Sequence, residues 1–148
     1  MFEITKEFAF EAAHHLPQMP DGHQCKRPHG HSYRVIVTLR SEGLDSFGFV
    51  RDFGELSFIK DDLDRHYDHQ DLAVVRNSGE HTTAERLAEH FFFRWVVYLD
   101  VKLHSVTVCE TAKTTATFTR PEYKAPASQL TMEQVRELVL RGPWQGVQ

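Results

Sequence analysis

"CKRPHGHSYRVIVTLR", residues 25–40, leads from a cationic loop into a run that alternates apolar and polar side chains. From Tyr33 to Leu39 every second residue is apolar, which is the period of a β-strand with one buried face. Continued backwards, the alternation places His29 and His31 on the apolar face, because residues two apart on a strand project the same way. The stretch therefore predicts a strand with two imidazoles at its beginning, both directed towards the core.

The start of the chain has the same period. Except for Lys6, the even-numbered positions carry apolar side chains, and the series ends in a histidine: Phe2, Ile4, Phe8, Phe10, Ala12 and His14. If this strand pairs with the one above, the imidazoles of His14, His29 and His31 converge, and three histidines with an open position are typical of catalytic zinc. The competing interpretation is that His29 and His31 are hydrogen-bonded polar residues at a strand entrance. His15 and His23 are further candidate ligands.

Helix and strand patterns follow in turn. "EGLDSFG", residues 42–48, predicts a hairpin connection, and "FVRDF", residues 49–53, predicts the end of a returning strand. Asp52 is the expected cap of a first helix, and Thr82 with Glu85 forms a capping-box pattern for a second. The apolar stripes expected for these helices are Leu56, Ile59, Leu63 and Tyr67 in the first, and Leu87, Phe91, Trp95 and Tyr98 in the second.

The last third of the chain predicts two strands and a final helix. The strand patterns cover residues 103–111 and 114–120, and the helix pattern covers residues 130–143. We expect one domain over residues 1–122 and a carboxy-terminal extension over 123–148 with one short helix. The order of elements predicts an α+β fold, in which helices pack on one face of an antiparallel sheet.

Composition narrows the classes of function. The chain has 148 residues, 41% hydrophobic and 26% charged, as expected of a globular protein with a proper core. No apolar run approaches the roughly 20 residues of a membrane span, and the acidic, alternating start does not resemble a secretory signal. A net charge of −4 without a Lys/Arg block argues against a nucleic-acid partner. These features predict a cytoplasmic protein that binds neither membranes nor nucleic acids.

Three more positions are candidates for chemistry. Cys25 lies beside two cationic side chains, which favour a reactive thiolate; the alternative is an inert loop cysteine. Asp68 and His69 are adjacent, so a carboxylate can polarise an imidazole for proton transfer; the alternative is a solvated helix end. Glu110 shares a strand face with apolar residues and can accept two parallel N–H bonds from a flat, guanidine-like edge; the alternative is an acid at the sheet rim.

Four motifs, in order, resemble the 6-pyruvoyltetrahydropterin synthase / 6-carboxytetrahydropterin synthase family: "FAFEAAHHL", "CKRPHGHSY", "DHQDL" and "VCET". The resemblance covers roughly the first 120 residues. It implies the tunnelling fold (T-fold), a four-stranded antiparallel sheet with two helices. It also implies a homohexamer, a dimer of trimers, with sites at subunit interfaces.

The resemblance implies roles for the candidate residues. His14, His29 and His31 would bind Zn²⁺, and Cys25 would be the general base with Asp68 and His69 as its relay. Glu110 would anchor the pterin ring with help from Thr83, and Arg27 would meet the triphosphate of the substrate. His66 is the alternative to His69. We prefer His69 because Leu72 completes the Asp-His-x-x-Leu pattern of the family.

The short gap between Cys25 and His29 resembles the carboxy-forming branch, which belongs to queuosine and 7-deazapurine biosynthesis. The reaction implied for that branch converts 7,8-dihydroneopterin triphosphate to 6-carboxytetrahydropterin, acetaldehyde and triphosphate. The rival functions are the pyruvoyl-forming synthase, an aldolase-like relative, and a metal-dependent pterin-binding protein without activity. A structural zinc domain is disfavoured because its ligand set would be rich in thiolates.

Overall fold

The structure, a computed structural model, describes residues 1–75 and 82–120. In chain order its helices and strands are β1 (Phe2–His14), β2 (His29–Ser41), α1 (Ser57–His66), β3 (Gln70–Asp71), α2 (Leu72–Val75), α3 (Ala84–Leu99), β4 (Leu103–Thr111) and β5 (Thr114–Thr119). The final helix expected at residues 130–143 and the boundary expected after residue 122 lie outside the described residues.

The two amino-terminal strands form the centre of the sheet. β1 and β2 pair antiparallel along their whole length, from Phe2 opposite Ser41 to His14 opposite His29. Their predicted apolar faces coincide: Phe10 and Tyr33 lie opposite each other, are buried, and stack with ring centroids 5.0 Å apart. A one-residue slip would turn both apolar faces outwards, so burial fixes this register.

Among the described residues, the sheet has five strands in the order β3-β1-β2-β4-β5. The four long strands are antiparallel, and the α+β class with the T-fold architecture is confirmed. The fifth strand, β3, was not predicted; its two residues pair parallel with Ala12 and Ala13 of β1. Two residues are too few to show a periodic pattern. The strand therefore becomes visible only in the structure, where the chain after α1 lies along the edge of the sheet.

The strand predicted at residues 49–53 is wrong. Within the described residues, the segment is irregular from residue 49 to 52, and a 3₁₀ turn begins at Phe53. Just ahead of it, the carboxylate of Asp45 accepts hydrogen bonds from Phe47 N and Phe49 N, both at 2.9 Å. Such local bonds compete with a strand ladder for the backbone donors. Of its apolar side chains, Val50 is buried whereas Phe49 and Phe53 are about half exposed, so the segment does not present the one buried face of a strand in this sheet.

The first helix begins later than predicted: α1 starts at Ser57, after a short 3₁₀ turn at Phe53–Leu56. Asp52 caps this turn by accepting a hydrogen bond from Gly54 N at 2.7 Å. Along the helix, Ile59 and Leu63 are fully buried in the core. Periodicity alone therefore placed the buried face of this helix correctly.

The second predicted helix, α3, required two corrections. Its cap is Thr83, whose hydroxyl accepts from Arg86 N at 3.4 Å, whereas Thr82 is completely buried outside the helix. Tyr98, expected on the buried stripe, is 63% exposed, and Leu99 is buried in its place. Leu99 lies four residues after the buried Trp95, and Tyr98 lies three residues after it. Both spacings are compatible with a 3.6-residue period, so the pattern alone does not choose between them.

An ion pair joins the two helices. Asp62 of α1 accepts two hydrogen bonds from Arg94 of α3, at 2.6 and 2.5 Å, and one from Trp95 Nε1 at 2.8 Å. Burial by itself raises the pKa of Asp62, but the hydrogen bonds from Arg94 and Trp95 outweigh it and hold the pKa below its usual value. The carboxylate is therefore charged at neutral pH and satisfies the indole N–H of a fully buried Trp95.

We expect Asp62→Ala to lower the free energy of unfolding by about 3 kcal/mol, because it leaves a partly buried guanidinium and a buried indole N–H without their partner. Asp64→Ala, on the same helix, removes an exposed pair with Lys60 and should cost about 0.5 kcal/mol. Urea unfolding at pH 7 measures both values. Equal costs in the two variants would show that the interhelical pair does not stabilise the fold.

The same pair predicts an acid dependence of stability. A carboxylate with a lowered pKa in the folded state stabilises fully above its unfolded pKa of about 4, and this contribution is lost as the pH falls through the lower folded pKa. The difference in unfolding free energy between the wild type and Asp62→Ala should therefore shrink below about pH 4. A difference that stays constant down to pH 2 would contradict this.

Among the described residues, none of the helices has the length and apolar character needed to cross a membrane.

Candidate functional site

The three predicted imidazoles meet at one end of the sheet. His14 ends β1 opposite His29, and His31 lies opposite Ala12, so all three side chains leave the same face. Their ring centroids are 4.5 to 5.1 Å apart, and one nitrogen of each ring lies within 4.8 Å of the others. Imidazole nitrogens at this spacing can share one metal ion. The convergence expected from the alternation of the two strands is therefore present.

Hydrogen bonds set which nitrogen of two of these rings is free. His14 Nδ1 lies 2.8 Å from the carbonyl of Thr82, and His29 Nδ1 lies 2.8 Å from the carbonyl of Arg27. A carbonyl only accepts, so each Nδ1 donates its hydrogen and each Nε2 keeps a lone pair. His14 Nε2 is buried and has no hydrogen-bond partner among the described residues. A buried nitrogen without a partner is costly, and a metal ion would satisfy it.

Electrostatics favours the form of histidine that binds metal. Burial lowers the pKa of His14 to about 4, although its hydrogen bond to Thr82 acts in the opposite direction. Burial also lowers the pKa of His31, and the nearby His29 adds to that effect. Both rings are therefore neutral at pH 7, which is the state in which imidazole binds Zn²⁺. The donor set and its protonation fit the ion implied by the sequence motifs.

The triad lies in the wall of a cavity of about 740 Å³. Cys25, Arg27, Thr83 and Glu110, all predicted site residues, line the same cavity. A volume of this size suits a bicyclic ring with a substituted side chain. The cavity therefore joins a candidate metal site, a thiol, a cation and a carboxylate, which segments far apart in the sequence contribute.

Glu110 is the acid of this cavity. It lies near the end of β4, its side chain is 23% exposed, and Oε1 is 4.0 Å from His14 Nε2. Burial raises the pKa of Glu110, and the nearby Glu85 raises it further. A half-buried carboxylate at the end of a cavity can accept hydrogen bonds from a ligand that carries adjacent N–H groups.

Cys25 is held in a short 3₁₀ turn, Gln24–Lys26, ahead of β2. Its N–H donates to His23 Nδ1 at 3.1 Å, and its carbonyl accepts from Leu16 N at 2.8 Å. His23 thus caps the turn that carries the thiol, and it is not part of the histidine triad. These backbone contacts fix the main chain of the thiol beside the triad.

Asp68 and His69 form a dyad elsewhere on the chain. His69 Nδ1 donates to Asp68 Oδ2 at 2.7 Å, while Glu11 N donates to Asp68 Oδ1 at 2.8 Å. The His69 N–H returns to the Glu11 carbonyl at 2.6 Å, and His69 has a left-handed φ of 56°. The hydrogen bond from Glu11 holds the pKa of Asp68 below its usual value, with help from His69. The dyad is therefore preformed, and its carboxylate is charged at neutral pH.

This dyad is not part of the cavity wall of its own chain. The described lining includes Cys25 but neither Asp68 nor His69, and the His69 side chain is 78% exposed. The alternative histidine, His66, has its Nδ1 at 3.1 Å from Asp62, which also binds Arg94. The hydrogen-bonding pattern therefore favours His69 over His66 as the partner of Asp68.

The contact of Thr82 with the site is not evident from the sequence. Thr82, expected to cap α3, supplies the carbonyl that orients His14. No pattern in the sequence indicates this contact, since a threonine before an apolar run is typical of a helix cap. The contact depends on where α3 docks against the end of β1.

Known proteins resemble this chain in sequence and in fold. The profile of the 6-pyruvoyl tetrahydropterin synthase family matches residues 3–121. A 6-carboxy-5,6,7,8-tetrahydropterin synthase of Synechocystis sp. is 35% identical over 130 residues, covering 82% of this chain and 95% of that protein. A protein with the same name from Haemophilus influenzae is 29% identical over 136 residues, covering 75% and 94% of the two chains.

The fold agrees with a solved structure. Caenorhabditis elegans 6-pyruvoyl tetrahydropterin synthase superposes with a TM-score of 0.72 at 25% identity, covering 81% of this chain and 96% of that one. The fold and the site thus define a pterin synthase of the T-fold class. The chain belongs to the 6-pyruvoyl tetrahydropterin synthase family, as its four motifs indicated.

Proposed function

We propose that the protein is a zinc-dependent 6-carboxy-5,6,7,8-tetrahydropterin synthase. This lyase would convert 7,8-dihydroneopterin triphosphate and water to 6-carboxytetrahydropterin, acetaldehyde and triphosphate. The main support is the cavity in which three histidines, Cys25 and Glu110 face one space. The relatives of that name from Synechocystis sp. and Haemophilus influenzae support the carboxy-forming branch.

The side chains of the cavity suit the steps of this reaction. Zn²⁺ held by His14, His29 and His31 would supply Lewis acidity towards the hydroxyls of the substrate side chain. Cys25 would take and return the protons that move during the internal redox tautomerisation. Arg27, at the cavity wall, would bind the triphosphate.

Glu110 and Thr83 would bind the pterin ring. The carboxylate of Glu110 would accept two N–H bonds from the aminopyrimidinone edge, and Thr83 lies on the same wall at the start of α3. Burial and the nearby Glu85 raise the pKa of Glu110, and hydrogen bonds from a ligand would stabilise its charged form.

The separation of the relay supports a site shared between subunits. Asp68 and His69 form a preformed pair that is not among the lining residues described for the cavity of their own chain, and His69 is largely exposed. We place this dyad against Cys25 of a neighbouring copy, in a homohexamer made of two trimers. His69, oriented by Asp68, would then be the second acid and base of the site. The product would enter 7-deazapurine biosynthesis, as in the queuosine pathway, and the enzyme would be cytoplasmic.

The deciding experiment incubates zinc-loaded protein with 7,8-dihydroneopterin triphosphate and identifies the products by mass spectrometry. Carboxytetrahydropterin together with acetaldehyde supports the proposal. Pyruvoyltetrahydropterin would assign the protein to the other branch of the family. Substrate bound without turnover at any zinc concentration would indicate a pterin-binding protein.

We expect Glu110→Gln to raise the KM for the substrate by about 10- to 100-fold and to leave the zinc content unchanged, because one charged acceptor of the ring edge becomes a donor. Glu85→Gln, also on the cavity wall, is the matched control and should change KM less. Steady-state kinetics with both variants gives the comparison. A larger effect at Glu85 would assign the ring anchor to that residue instead.

A further inference from the structure

His14 is oriented from a distant part of the chain. Its Nδ1–H donates to the carbonyl of Thr82, 68 positions later in the sequence, at 2.8 Å. His29, in contrast, donates to the carbonyl of Arg27, only two positions earlier. The orientation of His29 is therefore a local property of the approach to β2. The orientation of His14 depends on the segment that enters α3.

The hydroxyl of Thr82 completes a consistent set of hydrogen bonds. Thr82 is fully buried, and its Oγ1 lies 3.4 Å from the carbonyl of His15 and 3.3 Å from His14 Nδ1. Since a carbonyl cannot donate, the Thr82 hydroxyl donates its hydrogen to the carbonyl of His15, and a lone pair of the hydroxyl oxygen faces the Nδ1 hydrogen of His14. One residue thus offers two acceptors to that hydrogen, which leaves the lone pair of His14 on Nε2.

Thr82 also connects the histidine to the ligand-binding wall. The next residue, Thr83, caps α3 by accepting from Arg86 N and lines the cavity. Since Thr83 is the cap, the hydroxyl of Thr82 is not needed for the helix and is available to His14 and His15. A shift of the start of α3 would therefore move the acceptor of His14 and the cavity wall together.

We propose that Thr82 is a positioning residue that holds His14 in its Nδ1–H tautomer and ties the metal site to the start of α3. The inference rests on the metal site of the proposed function and adds to it a residue that does not itself touch metal or substrate. Partners that hold the second nitrogen of a metal-binding histidine typically change metal affinity by about 10- to 100-fold when they are removed.

The test compares Thr82→Val with Thr82→Ser. Valine keeps the shape and the carbonyl but removes the hydroxyl, whereas serine keeps the hydroxyl. Thr38→Val, at another buried threonine in β2, is the matched control. Two quantities are measured on the full chain: the tautomer of His14 in the metal-free protein, from long-range ¹⁵N–¹H spectra, and Zn²⁺ affinity by competition with a chromophoric chelator.

We expect Thr82→Val to give a mixture of His14 tautomers and a Zn²⁺ affinity about 10-fold weaker. The valine lacks the second acceptor of the Nδ1 hydrogen, and it lacks the hydroxyl that ties residue 82 to the His15 carbonyl and thereby holds its own carbonyl against His14. Thr82→Ser and Thr38→Val should match the wild type in both measurements. An unchanged tautomer in Thr82→Val overturns the proposal, whether or not the affinity falls. If the valine variant does not fold, Thr82→Ala provides the same comparison.

The experiment distinguishes a failure of the zinc assignment from a failure of the role proposed for Thr82. A wild type that binds no Zn²⁺ would overturn the zinc assignment of the proposed function. The tautomer of His14 in the metal-free valine variant would still support or overturn the role of Thr82, because that measurement needs no metal.

Discussion

Removing one histidine of the triad, as in His29→Ala, should abolish stable zinc binding and lower kcat/KM at least about 1,000-fold. The Zn²⁺ site would retain two protein ligands, whereas catalytic zinc is ordinarily held by three. The lost Lewis acidity corresponds to several kcal/mol of transition-state stabilisation, and 1.4 kcal/mol is tenfold in rate. His29 is only partly buried, so the fold itself should remain.

Zinc content after dialysis, measured by atomic absorption, and product formation test this expectation together. His104→Ala is the matched control, since His104 lies on β4 outside the triad and should leave one zinc per chain. A His29→Ala protein that still holds one zinc per chain and turns over would contradict the assigned ligand set. Thermal unfolding of both variants shows whether any loss is due to the fold.

Replacing the thiol in Cys25→Ala should lower kcat by about 100- to 10,000-fold, the range expected for a lost general base, and leave zinc content unchanged. Zinc should remain because its proposed ligands are three histidines and Cys25 does not belong to that group. Substrate binding should also remain, since the proposed anchors Glu110 and Arg27 are untouched. Single-turnover kinetics and zinc analysis separate these effects.

The other cysteine provides the control for this variant. Cys109 is buried in β4, so Cys109→Ala can lower stability but should keep kcat near that of the wild type. If Cys25→Ala loses zinc and activity to the same extent, the thiol acts on the metal and its role as a base is wrong. Equal activity of the two cysteine variants would also exclude that role.

The same variant tests the shared site. If Cys25 and the Asp68–His69 dyad come from different subunits, mixed oligomers of Cys25→Ala and His69→Ala chains contain some sites in which both residues are intact. Activity should therefore reappear when the two inactive variants are unfolded together and refolded. Mixtures that stay inactive, with mixed oligomers demonstrated by mass spectrometry, would place the thiol and the dyad in one chain.

Alternation in the first 41 residues was enough to predict β1, β2 and the meeting of His14, His29 and His31. The reason is physical: a period of two assigns each side chain to a face, and burial of Phe10 and Tyr33 permits one register. The motifs then led to the family and to Cys25, Arg27, Thr83 and Glu110 as cavity residues. The face of a strand is a local property, so the sequence contains it.

Contacts between distant segments could not be inferred in this way. The segment at residues 49–53 lies outside the sheet, and Asp45 takes the N–H of Phe49 at its start. β3 forms because α1 ends beside β1, and Thr82 meets His14 because α3 begins there. Each depends on how whole elements dock, and docking follows from the summed packing of the core rather than from any short pattern. The strands placed the three imidazoles on one face, whereas the docking of α3 decided the hydrogen-bond partner of one of them, His14.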